Sequence, residues 1–263
     1  MEKVRYETQV LNYGGGKQTV ALCVMIAEGV LPRPDHIVIA DTSREVQSTW
    51  NYIEDHAGPY LAKHDLKIEV APHELATVDL YSHQGTLLLP VFTADGKFSS
   101  YCSGEWKTQV MRRYLRSVGV KSATQWIGYA FDEKRRWMKA QKGQEERRKA
   151  GEEGPWRMSF PLVELMLTQA DCPVIIRKAG LPVPSKSRCW MCPNQPNVEW
   201  RELRDESPEE FEKACVLDEE AREEDFEKSV YLHESRVQLR EADLDVADRK
   251  EPSRQCTLGT CFI

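Results

Sequence analysis

The apolar run Gln9–Tyr13 stops at three consecutive glycines and an apolar run resumes from Gln18 to Glu28, so a strand-like segment passes into a helix-like one through GGGKQT. This joint constrains the fold more than any other stretch. Glycines let backbone N–H groups approach an anion closely, and a helix N-terminus adds partial positive charge. Lys17 contributes a formal charge and Thr19 a hydroxyl. The Walker pattern needs a longer gap between its first glycine and its Gly-Lys pair, so it is absent. On its own residues the loop reads either as a phosphate cradle or as a glycine-rich tight turn.

The next 100 residues repeat the same alternation. His36–Ala40 is a buried-type strand, Glu45–Lys63 has helical length, Leu66–Val70 is a third strand, Glu105–Val118 a basic amphipathic helix and Thr124–Ala130 a fourth strand. Strands alternating with helices predict an α/β fold with a mostly parallel sheet. The charged stretch 139–154 reads as a mobile loop or a frayed helix end. After Pro161 the character changes: a short helix capped by Thr168 and ended by Gly180, a Pro-rich loop, and acidic helices around 198–228. The expected organisation is a nucleotide-binding α/β domain over 1–160 and a helical, cysteine-containing C-terminal subdomain over 161–263, packed on the sheet's carboxyl edge.

With 263 residues, 41% of them hydrophobic, the chain can bury a substantial core. No apolar run reaches 18 residues, and the polar N-terminus does not read as a signal peptide. Eight cysteines in that context point to buried thiols and a metal or redox site in a reducing cytoplasm. Residues 101–150 hold 13 Lys/Arg against 5 Asp/Glu, a net of +8, whereas 199–227 hold 4 against 14, a net of −10. The first block can face phosphates; the second reads as a solvated helical face.

Six segments in order carry a family resemblance. GGGKQT resembles the SGGKDS-type pyrophosphate loop of the PP-loop adenine-nucleotide alpha-hydrolase superfamily. IADTSREVQST resembles its strand-end DTG-x-E segment, YCSGEWKTQVMRRYL the cysteine and basic segment, and IGYAFDEKRR the strand-end glycine segment with Glu and Arg. FPLVELMLTQADCPVIIRKAGLPVP resembles the PL-x-(D/E)-W-T helix and loop, and CWMCP the cysteine pair that follows. More narrowly, the chain resembles the phosphoadenosine phosphosulfate (PAPS) reductase-like branch, including its phage and mobile-element members. The resemblance implies a Rossmann-like (HUP-type) doubly wound sheet. It departs from the pattern at Gln18, where the loop is usually acidic, and at Gly14, where it is usually serine. Gln18 cannot help hold Mg by charge, so phosphate binding is better supported than hydrolysis.

The resemblance places an adenine nucleotide, either ATP or a sulfonucleotide, against Gly14, Gly15, Gly16, Lys17, Gln18, Thr19, Asp41, Thr42, Glu45, Gly128 and Arg136. Asp41, Thr42 and Glu45 also read as a helix cap and capping box. Arg112, Arg113, Arg116, Lys134, Arg135 and Lys107 are further phosphate candidates, each by itself a solvent-facing base. Cys189 and Cys192 form a C-x2-C pair able to reach one metal, and Cys102 precedes them as an upstream cysteine motif does in cluster-bearing sulfonucleotide reductases. A [4Fe–4S] cluster with Cys256 or Cys261 as fourth ligand, a cluster with one open iron, a Zn site and a dithiol pair all stay open. The tail CTLGTC resembles a mobile nucleophile, making Cys256 and Cys261, with Lys17, the catalytic candidates. Cys23, Cys172 and Cys215 read as structural, and His233 as a packing histidine or a site contact.

Three functions follow. The first is reductase-like sulfur redox or transfer chemistry, with a thioredoxin-like reductant as partner. The second is ATP-dependent sulfur modification of DNA or tRNA, and the third a non-catalytic nucleotide-binding module that docks a partner.

Overall fold

The computed structural model describes residues 8–224 and 229–246. Five strands form one sheet: β1 (Thr8–Asn12), β2 (His36–Ala40), β3 (Glu69–Ala71), β6 (Ala123–Trp126) and β7 (Trp156–Ser159), in the order β3-β2-β1-β6-β7 with every neighbouring pair parallel. A separate hairpin, β4 (Phe92–Thr93) with β5 (Gly96–Lys97), lies in the long connection between β3 and β6. The sheet is α/β and doubly wound, because the chain leaves β1 in one direction and returns to β6 on its other side. Ligands of such sheets bind outside the strand carboxyl ends at this reversal.

Strand periodicity sorts the core into two faces. Leu11, Ile37 and Ile39 face one side with α1 (Lys17–Ala27). That side also takes α2 (Gln47–Tyr52), which runs through a π turn (Ile53–Ala57) into α3 (Gly58–Ala62). Val10, Val38 and Ala40 face the other side, covered by α4 (Val110–Ser117). The helix α1 is buried continuously from Thr19 to Ile26, which a one-sided amphipathic helix would not be. Its outer side is covered by α7 (Asp171–Lys178), whose Cys172 and Ile176 share the core of Leu22 and Ile26, after the single turn α6 (Pro161–Glu164).

A second core joins Leu87–Val91 and Trp106 to Met191, to Trp200 and Leu203 of α8 (Asn197–Glu206), and to Cys215 of α9 (Pro208–Glu224). Segments from both sides of residue 160 therefore contribute to the core around α1 and to this second core, whereas the face under α4 is built from residues before 160 alone. His233 belongs here as a packing residue: it is buried, with one ring nitrogen at 2.8 Å from Asn197 Oδ1 and the other at 2.7 Å from Ser235 Oγ.

Three local expectations are corrected. The stretch 139–154 is mainly helix, the end of α5 (Lys134–Lys149), which turns out at Gly151 with a positive φ of 73°. It was misread because no residue of α5 is buried; the helix is polar all round and laced by Lys142–Glu146, Arg148–Glu145 and Lys149–Glu145 pairs. The third strand starts at Glu69, where pairing with Val38 begins, and Leu66 and Ile68 pack on the core as loop residues. The fourth ends at Trp126, leaving Ile127–Ala130 as a site loop. The edge strand β7, too polar to be read from its sequence, is blunted by Gln144. That side chain accepts the Met158 N–H at 2.6 Å and donates to the Met158 carbonyl at 3.1 Å, occupying a free pairing position.

Among the described residues no helix is long and apolar enough to cross a membrane. Cys23, Cys172 and Cys215 are buried in the two cores, as expected. Burial pushes the Cys172 and Cys215 thiols up to about 11 and the Cys23 thiol higher still. At pH 8 all three should stay unmodified by a maleimide in the native protein and react in denaturant, which peptide mass mapping checks.

Candidate functional site

The cleft lies where the topology places it. It has a volume of about 400 Å³, within the size range of small-molecule sites, and is bounded by the β1–α1 loop, the segment after β6 and the loop 184–187. Gly14, Gly16, Lys17, Gln18, Thr19, Gly128 and Arg136 all line it, so most of the nucleotide contacts implied by resemblance converge. Gly15 shapes the turn beneath them, with φ +74°.

The first wall is the glycine loop. Gly16 is the extended residue before α1, with no side-chain cap, and the first turn carries no acid. The helix N-terminus is thus left to an anion. Thr19 braces the loop: its hydroxyl donates to the Gly16 carbonyl at 3.1 Å and accepts the Gly14 N–H at 3.3 Å. Lys17 lines the cleft with no carboxylate partner among the described residues.

The second wall is Gly128–Tyr129 with the start of α5. A Cβ at Gly128 would lie 2.8 Å from Thr19 Cγ2, so glycine is what lets this segment approach the loop. Glu133 fixes the geometry, accepting the Ala130 N–H at 2.9 Å, Arg136 Nη1 at 2.6 Å and Gln18 Nε2 at 3.4 Å. The Arg136 guanidinium lies 4.4 Å from the Tyr129 ring centroid, a cation–π contact. Gln18, the departure from the acidic pattern, is thus bound to a carboxylate rather than replacing one. Gly128→Ala should drive Thr19 off the Gly14 N–H and weaken ATP binding by about tenfold or more, read by calorimetric titration.

The third wall was not foreseen. Pro184, Ser185, Lys186 and Ser187 close the cleft, along with Asn12, Tyr129, Glu133 and Gln169. The Ser-Lys-Ser run in the Pro-rich loop offered a signal: two hydroxyls and an ammonium in a segment with no periodicity to serve a core. Lys186 is held at 2.6 Å by Glu199 of α8. Ser187 lies in hydrogen-bonding reach of both the Gly14 carbonyl and Glu45 Oε1, the latter at 2.6 Å, and donates to one at a time.

Asp41, Thr42 and Glu45 do not line the cleft, and they do not cap a helix. Asp41 accepts the Ser43 N–H at 2.7 Å in a turn, Thr42 is buried 3.9 Å from Cys189 Sγ, and α2 starts only at Gln47 behind Val46. Their segment instead binds the cysteine loop. Val46 N–H donates to the Arg188 carbonyl and Trp190 N–H to the Arg44 carbonyl, each at 2.9 Å, and Glu45 forms a bridge with Cys189. Gln195 closes the C-x2-C turn, donating to the Trp190 carbonyl at 3.1 Å while accepting Arg188 Nε at 2.9 Å. Of the other basic candidates, Arg113 donates to the Leu75 carbonyl and Arg116 stacks over Trp156; Arg112, Lys134 and Arg135 do not line the cleft.

Glu45 is the hinge between cleft and thiols. Its carboxylate is buried and pairs with Lys107 at 3.3 Å. Burial opposes charge on Lys107, but Glu45, with the adjacent Cys189 and Cys102 sulfurs, outweighs it and raises the ammonium's pKa. Cys102, Cys189 and Cys192 are electrostatic neighbours, and burial raises the pKa of each. Three gathered sulfur donors, disfavoured as thiolates until a cation compensates them, suit a metal or cluster in donor chemistry. Among the described residues, however, no three His, Cys, Asp or Glu side chains are spaced to hold a metal ion. Cys256 and Cys261 lie outside the described residues.

No protein-family model and no curated protein matches the chain. Among solved structures it is similar to the U34-tRNA thiolase NcsA from Methanococcus maripaludis with its [4Fe-4S] cluster, at 12% identity and a TM-score of 0.43, over 84% of this chain and 74% of that one.

Proposed function

We propose that the chain is an adenine-nucleotide-binding enzyme of the PP-loop type that performs sulfur chemistry next to the nucleotide. One observation carries this reading: Lys17, without a carboxylate partner among the described residues, stands at an uncapped helix N-terminus in a cleft that Ser187, Glu45 and Lys107 link to three partly buried cysteines. Anion capture and sulfur donors joined by one run of hydrogen-bonded and electrostatic contacts fit a nucleotide-dependent sulfur reaction better than either feature alone. In this reading Cys102, Cys189 and Cys192 would supply three of the ligands once drawn closer than they stand among the described residues, with Cys256 as the candidate fourth. An iron–sulfur cluster held there would bind or carry sulfur, and zinc is the competing occupant. The chain's own residues do the rest: the Gly14–Thr19 backbone and Lys17 bind phosphate, Arg136 on Tyr129 flanks it, and loop 184–187 covers the cleft.

For the acceptor, the exposed face of α5 favours a nucleic acid. Lys134, Arg135, Lys139, Lys142, Arg147, Arg148 and Lys149 are all exposed on a helix whose first turn reaches the cleft. Phosphates along a polynucleotide could follow that row, and their binding would then fall with salt. The test compares two assays on anaerobically purified protein. ATP turnover and sulfur incorporation that require added tRNA or DNA, and weaken in Lys17→Ala by about tenfold or more, are the expected result. Sulfite release from PAPS or adenosine phosphosulfate with a dithiol donor would replace it by the reductase reading, with Cys256 or Cys261 as nucleophile. ATP binding with no turnover under either condition would leave a nucleotide-binding docking module.

A further inference from the structure

Asn12 ends β1 at the floor of the cleft and is 5% exposed, yet its Nδ2 has no hydrogen-bond partner. A buried amide donor left without an acceptor costs free energy, so such a group in a binding cleft points to a ligand atom. The amide is also oriented. Gln125, on the neighbouring strand β6 and itself buried, donates to Asn12 Oδ1 at 3.4 Å, so Nδ2 is the half of the amide left without a partner, as is Gln125 Oε1. Asn12 lines a second, small cavity of about 30 Å³ together with Glu45 and Lys107, so it stands between the phosphate loop and the thiol side.

We infer that Asn12 is a specificity-determining donor of this cleft, giving its Nδ2–H to a phosphate oxygen of the bound nucleotide on the side that faces Glu45 and Lys107. The inference rests on the nucleotide reading of the cleft and adds to it a residue outside the glycine loop. The chemistry calls for an acceptor: Oδ1 already takes the Gln125 amide, and Nδ2 is the unpaired donor. An anionic oxygen satisfies it, and one placed there is shared with the Gly14–Thr19 cradle.

The test titrates ATP, and inorganic triphosphate as the same phosphates without a nucleoside, into wild type, Asn12→Leu and Asn12→Asp. Expected is a loss of affinity of about 10- to 100-fold for both ligands in both variants, the range of a hydrogen bond to a charged group. Asn12→Leu removes the orphaned donor together with the acceptor of the Gln125 amide, so its affinity loss is read on protein whose ligand-free melting temperature is measured in parallel. Asn12→Asp keeps the shape and the acceptor for Gln125, removes the donor and adds a charge that itself repels phosphate, so it covers the case in which leucine does not fit while the donor's own share is read from Asn12→Leu. A wild type that binds neither ligand rejects the reading of the cleft itself. A wild type that binds ATP with both variants within twofold overturns the role of Asn12 and leaves the cleft standing. Loss for ATP with triphosphate binding unchanged or absent overturns the phosphate assignment.

Discussion

Gly15→Ala should lower stability by about 3 kcal/mol and abolish measurable ATP binding, the largest effect expected of any single methyl in this chain. Two independent penalties meet there. The backbone has φ +74°, a left-handed conformation that costs an alanine about 1–2 kcal/mol. A Cβ would also fall well inside contact with Thr49 Cγ2 on α2, and forcing a methyl into a packed site costs about 1–3 kcal/mol. At roughly 2–4 °C per kcal/mol for a chain of this size, thermal unfolding should drop by roughly 6–12 °C. The double variant Gly15→Ala/Thr49→Ser separates the two causes. Serine removes Cγ2 and keeps the hydroxyl, so it should restore the steric share and leave the backbone strain. If the double variant melts no higher than Gly15→Ala, the clash with Thr49 is not part of the cost; if Gly15→Ala melts within 2 °C of wild type, the turn is not left-handed.

Gly15 also shows what the sequence made legible. A run of three glycines between a strand pattern and a helix pattern specified the turn, and its neighbours fixed the order β1, α1, β2. The cores of α1 and β2 are buried on the sheet, so the apolar runs 20–26 and 37–40 are unbroken. What escaped was whatever is held by pairing rather than by burial. α5 has no apolar face to announce it and depends on charge pairs, and β7 is a polar edge strand that exists because Gln125 and Trp126 offer it a ladder. Site residues divide in the same way. Gly14–Thr19, Gly128 and Arg136 sit in motif-like segments and reach the cleft, whereas Ser185–Ser187 and Asn12 carry no motif and become visible only through their distances. Asp41, Thr42 and Glu45 follow a strand end as nucleotide ligands do; in the structure Thr42 and Glu45 lie against Cys189 outside the cleft lining, and Asp41 accepts the Ser43 N–H.

Glu45→Gln and Lys107→Met should each destabilise the protein by about 3–5 kcal/mol, and the double variant by clearly less than their sum. The pair is at 3.3 Å with side-chain exposures of 18% for Lys107 and 4% for Glu45, so removing one partner strands the other charge in a poorly solvated place. Removing both leaves neither charge, and the cost falls to lost packing and one hydroxyl partner. Equilibrium denaturation of the four proteins closes the cycle, with an interaction energy of about 1.5–3 kcal/mol expected. The two single variants should differ in a second readout. Lys107→Met keeps Glu45 Oε1 on the Ser187 hydroxyl, whereas Glu45→Gln disturbs that contact and with it the loop carrying Gly14. ATP affinity should therefore fall further in Glu45→Gln than in Lys107→Met, even if the two melt at the same temperature. Equal loss in both would mean that the cleft senses only global stability. An unequal loss in the stated order would mean that the carboxylate carries the connection between phosphate loop and thiols, and that Lys107 serves by holding that carboxylate in place.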